Sequence, residues 1–82
     1  MNVARKAYDE IVDLFARGTT SADVLAFRPS AQAQERVRDL LARSKAGELS
    51  EAEAAELERF SELEHLMQLV KARAHRYVDK QA

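Results

Sequence analysis

Beyond Ser50 the apolar residues Phe60, Leu63, Met67, Val70, Ala74 and Tyr77 recur in alternating steps of three and four, with Leu66 and Val78 at the edges of the stripe. That spacing places them on one face of a helix. Nothing in the stretch interrupts it: Gly and Pro are absent, and Ala, Leu, Glu, Lys and Arg, the strongest helix formers, dominate. Ser50 with Glu53 three positions later is a capping box for its start. Glu51, Glu53, Glu56 and Glu58 come early and Lys71, Arg73, Arg76 and Lys80 late, the order that the helix macrodipole favours. The pattern predicts one helix over residues 50–80, around which the rest is organised. Such a helix exceeds about 40 Å, whereas a compact chain of this size is about 30 Å across. Its far end is therefore expected to overhang and to need a second chain. Phe60, Leu63, Met67, Val70, Ala74 and Tyr77 are the expected interface of a homodimer.

Upstream, Asn2 can cap a helix within residues 1–18, where Ala4, Ala7, Tyr8, Ile11, Val12 and Phe15 keep the helical spacing and Gly18 is the stop. A short helical turn is predicted over 21–27, capped by Thr20 or Ser21, with Val24 and Leu25 turned inward. Phe27-Arg28-Pro29-Ser30 then forms a corner, because Pro29 pushes Arg28 into an extended conformation and Ser30 can cap the next helix. That helix, over 30–46, carries Ala33, Val37, Leu40 and Leu41 on one face and Gln34, Glu35, Arg38 and Asp39 on another, and stops at Gly47. The short link Gly47-Glu48-Leu49 implies that it folds back against the long helix, with Leu49 stapled onto Ala54. No stretch alternates apolar and polar residues over a strand length. The expected architecture is a single all-α domain over 1–82: an amphipathic N-terminal helix, a short helical turn, then an antiparallel helical hairpin ending in one long helix.

Composition narrows the function classes. At 82 residues the chain is near the size at which one hydrophobic core is barely sufficient, a second reason to expect a partner. The absence of Cys excludes disulfides and thiolate metal sites and suits a reducing cytoplasm, the expected compartment. No membrane is expected: Arg5 and Lys6 lead into Asp9, Glu10 and Asp13 instead of an apolar run, and no window approaches the length of a membrane span. With 13 basic and 14 acidic residues, net charge makes no case for nucleic acid. Locally, Lys71, Arg73, Arg76 and Lys80 around Tyr77 leave a helical DNA-binding regulator as the alternative, although a helix C-terminus favours the same cations. Glu62-Leu63-Glu64-His65 contains the Glu-x-x-His spacing of di-iron bundles, but only one copy, on the flank opposite Phe60 and Met67. A metal-binding helical bundle is thus the third reading, and no metal or cofactor is expected. With no Cys nucleophile, no Gly-rich phosphate loop and no His beside a plausible Ser, no enzyme is expected either.

Three segments carry a resemblance: Ala26-Phe27-Arg28-Pro29-Ser30; Gly47-Glu48-Leu49-Ser50 with Glu53 and Glu56-Leu57; and Leu63-Glu64-His65-Leu66-Met67 through Leu69-Val70-Lys71-Ala72-Arg73-Ala74. In order and spacing they resemble a family of small, largely uncharacterised bacterial helical proteins encoded beside HNH-type or other small nuclease genes. The resemblance covers residues 8–74 and implies an antitoxin-like partner that binds and restrains a toxin or nuclease. It supplies no functional residues, so the expected partner surface follows from chemistry: Arg28, Lys71, Arg73 and Arg76 for pairing charges, and Leu69, an apolar residue off the main stripe.

Overall fold

Each helix starts where a short polar side chain accepts a backbone N–H that the first turn leaves unsatisfied. Asn2 Oδ1 accepts from the Arg5 N–H (3.0 Å) and Ser30 Oγ from that of Ala33 (3.2 Å). Thr20 and Asp23 cap each other reciprocally, as do Ser50 and Glu53. These caps open α1 (Val3–Ala16), α2 (Ser21–Ala26), α3 (Ala31–Lys45) and α4 (Glu51–Gln81). The structure is a computed structural model that describes residues 1–81, with side chains through Val78. It is all-α; among the described residues no helix is long and apolar enough to cross a membrane. Between α3 and α4, Gly47 takes a left-handed φ of 72°, and the Gly47 and Glu48 N–H groups donate back to the Ser44 and Arg43 carbonyls, a Schellman stop.

The long helix is the spine. Helix α1 runs parallel to it: the Val3 N–H at the start of α1 donates to Glu56 Oε2 (2.7 Å), while Leu14 near its end clusters with Met67 and Ala74. The middle leg runs the other way and is broken in two. Its upper piece, α2, places Val24 against Met67 and Ala74; its lower piece, α3, pairs Arg36 with Glu56 and Arg43 with Glu53, so that increasing numbers on α3 meet decreasing numbers on α4. The result is an up-down-up bundle measuring 48 × 22 × 18 Å. One core cluster joins Val3, Ala4, Ala7, Ala33, Leu40 and Phe60; a second, above it, joins Leu14, Val24, Met67 and Ala74.

This packing takes most of the expected dimer interface into the chain's own core. Phe60, Met67 and Ala74 are buried inside the chain, and Leu63 and Val70 are partly buried against the two clusters. Of the six residues assigned to that interface only Tyr77, 54% exposed, remains open. An overhang would follow only if the domain were spherical. Instead the turn at Gly18 (φ 82°) reverses the chain so that α2 lies along the upper half of α4 and covers the stripe there.

The buried face of α1 also differs from expectation. Val3 (0% exposed) and Leu14 (2%) are inside with Ala4 and Ala7, whereas Tyr8, Val12 and Phe15 face outward. Leu41 is likewise exposed, and Leu49 packs on the lower core cluster while Ala54 is exposed.

Candidate functional site

Once the core is assembled, α1 and α4 each retain a second apolar stripe. On α1 it is Tyr8, Val12 and Phe15, spaced by four and three; on α4 it is Leu66, Leu69 and Tyr77, and all six side chains are exposed. Because the two helices run parallel, the stripes flank a common seam. At its lower end Tyr8 and Leu66 share a groove with Leu63 and with Arg5, Arg59 and Glu62. At its upper end Phe15, Leu69, Val70 and Tyr77 share another with Arg73 and the turn Thr19–Ser21. The rim is cationic: Arg5, Arg59 and Arg73 against the single carboxylate of Glu62.

The opposite flank of α4 faces the break in the middle leg. There Phe27–Pro29, α1 and α4 line a half-open apolar cavity of about 220 Å³, with Arg28 and Lys71 among its lining residues. Lys71 Nζ donates to the Phe27 carbonyl (2.6 Å), and Arg28 Nη1 donates to the same oxygen (2.8 Å) and to the Leu25 carbonyl (3.3 Å). Burial, followed by the charge of Arg28, holds the Lys71 ammonium below its ordinary pKa.

The five residues expected to meet a partner therefore divide between two surfaces. Arg28 and Lys71 converge at the cavity, and Leu69 and Arg73 lie together in the upper groove of the seam. Arg76 is exposed and lines neither. The residues proposed for DNA diverge likewise: Arg73 and Tyr77 line the seam, Lys71 lines the cavity and Arg76 lines neither, while the side chain of Lys80 lies outside the described residues. Glu62 and His65 are both exposed, and no group of three or more His, Cys, Asp or Glu suited to holding a metal occurs among the described residues.

Tyr8, Val12 and Phe15 were not expected at a surface site. The signal lay in α1 itself, which carries more apolar residues than one buried face can hold. The charge cluster at the lower end was also missed. Glu56 is buried and accepts from the Val3 N–H and from Arg36 Nε (3.1 Å) and Nη2 (3.0 Å). The Arg36 guanidinium holds the Glu56 carboxyl below its ordinary value, against the opposing effect of burial. Arg43 bridges Asp39 and Glu53, and the Glu53 carboxyl is held down to about 2 by Arg43 and by the Ser50 N–H. Compared with known protein families, curated proteins and solved structures, the chain matches none.

Proposed function

We propose that this chain is a non-catalytic binding protein that docks another protein along the α1–α4 seam, and that the partner is a toxin or nuclease restrained by the contact. The observation that carries the reading is the second apolar stripe: Tyr8, Val12, Phe15, Leu66, Leu69 and Tyr77 stay exposed although the chain's own core is already covered. An exposed row of large apolar residues with a polar rim is what a protein–protein contact needs. The kind of partner rests on the sequence reading alone, in which residues 8–74 resemble small bacterial helical proteins encoded beside nuclease genes and an antitoxin-like role is what that resemblance implies. The cationic rim adds a constraint: Arg5, Arg59 and Arg73 favour an acidic border on the partner. A nuclease would accordingly be held through a face other than its cationic nucleic-acid cleft.

Co-expression with the product of the adjacent gene tests this. Wild-type protein should relieve growth arrest, and Phe15→Glu with Leu69→Glu should abolish relief while leaving the helical circular dichroism unchanged, because both side chains are outside the core. A neighbour that is harmless with or without this chain removes the toxin reading. Full relief by the double variant moves the contact off the seam.

A further inference from the structure

We propose that the cavity at the break between α2 and α3 binds a small arylalkanoic acid, its carboxylate held by Lys71 and Arg28 and its ring among Ile11, Phe27, Phe60, Leu63 and Met67. The cavity is a consequence of the break. Pro29 cannot continue α2, so the chain leaves the helix over Phe27–Ser30 and opens a space between α1 and α4 that an unbroken helix would fill. Ala7 on α1 keeps that space open by contributing only a methyl group. An apolar cavity of about 150 Å³ suffices for benzene, so about 220 Å³ admits a phenyl ring with a short chain attached.

The charged end of the ligand follows from unused donors. Lys71 and Arg28 are brought together on the Phe27 carbonyl, yet among the described residues no carboxylate lies in ion-pair range of either; the ion pairs all lie elsewhere. Two like charges held this close call for an anion between them. An ammonium has three donors, and Lys71 directs one at Phe27. Arg28 directs only Nη1 at backbone carbonyls, leaving its Nε–Nη2 edge. This molecule already uses that edge to bind a carboxylate, since Arg36 grips Glu56 through Nε and Nη2. Glu64 also lines the cavity, two helical turns before Lys71 and so about 10 Å from it along the axis. It sets the polarity of the site, with the carboxylate at the Lys71 end and the ring toward Glu64.

The test is a titration of the full chain with 3-phenylpropionate, read from the methyl signals of Ile11, Leu63 and Met67. Those signals should shift saturably. The neutral 3-phenylpropanamide should bind at least tenfold more weakly, as should propionate, which lacks the ring. Lys71→Met and Arg28→Gln should each weaken the acid at least tenfold without moving the thermal midpoint, and Glu64→Gln should tighten it. The proposal is overturned by an amide that binds as well as the acid, by affinity that survives both cation substitutions, or by no shift at millimolar acid. It is also overturned if a tripeptide ending in Phe binds more tightly than the free acid, which would make the site a receptor for a protein C-terminus. The cavity and the seam lie on opposite flanks of α4 and share only Leu63 as a lining residue, so either proposal can fail without the other.

Discussion

At the lower end of the bundle, where α3 meets the first turns of α4, Arg36, Arg43, Asp39, Glu53 and Glu56 satisfy one another, and the buried carboxylate of Glu56 also takes up the first N–H of α1. At the upper end Arg28 and Lys71 share a single backbone oxygen, and Phe15, Leu69 and Tyr77 face outward. Helices α1 and α4 run through both ends, and only the middle leg changes, from α3 below to α2 above. Between α3 and α4 at the lower end the charges are matched within the chain, whereas the upper end, like the α1–α4 seam, leaves cations and apolar surface for something else. Closed regions of this kind hold a structure together, and open ones are where binding belongs.

The largest test of that contrast uses two phenylalanines. Phe60 is buried in the lower core cluster, and truncating it to Ala should cost about 3–5 kcal/mol in denaturant melts. Phe15 is exposed, and Phe15→Ala should change stability by no more than about 0.5 kcal/mol while weakening partner binding. Comparable losses from both would erase the distinction between core and seam.

Next in size is the lower charge cluster. Glu56→Gln keeps the shape but removes the charge that Arg36 grips, and should cost about 1.5–3 kcal/mol, the usual range for hydrogen bonds to charged groups. Acid should reach the same cluster. Glu53 and Glu56 both bind protons less readily folded than unfolded, so their contribution is complete above the ordinary carboxylate value of 4.5. It is lost as pH falls from there toward about 2, where Glu53 titrates in the folded chain. A melting temperature that stays level from pH 4.5 down to 2 would show that the cluster adds nothing.

These two regions were not equally readable from sequence. Element types, caps and stops follow from local chemistry, and the Ser50–Glu53 box, the Gly18 and Gly47 turns and the corner at Pro29 all lie where residue type places them. The inward face of α1 does not. Val3-Ala7-Leu14 and Tyr8-Val12-Phe15 both fit a helical period, and the choice is made by packing against α4 and by the Val3–Glu56 bond, which spans 53 positions. The cover that α2 gives to Met67 and Ala74 is equally non-local, which is why length alone implied a second chain. Arg28 and Lys71 stood out as exposed cations, but only the fold brings them to one carbonyl across 44 positions.

A smaller effect is expected at Gly47, the joint between the closed end's two helices. Its φ of 72° is strained for any residue with a Cβ, yet a Cβ there would meet open space. Gly47→Ala should therefore cost about 1–2 kcal/mol, from backbone conformation alone. Gly47→Asn should cost less, since Asn tolerates the left-handed region. Equal stability of Gly47→Ala and wild type would mean that the joint relaxes without the glycine.

The smallest expected effect is the most discriminating. If the open end is built for binding, removing its cations should leave the fold untouched. Lys71→Met keeps the aliphatic stem that packs beside the cavity and removes an ammonium that burial and Arg28 both disfavour, so stability should change by no more than about 0.5 kcal/mol. Arg36→Met is the matched control at the closed end. It leaves the Glu56 carboxylate buried without its guanidinium partner and should be clearly destabilising, at about 1–3 kcal/mol. Both variants replace a cation with the same neutral side chain on opposite sides of the comparison, so urea melts of both read the difference. A loss at Lys71 as large as the loss at Arg36 would make its bond to the Phe27 carbonyl a structural clamp on the corner.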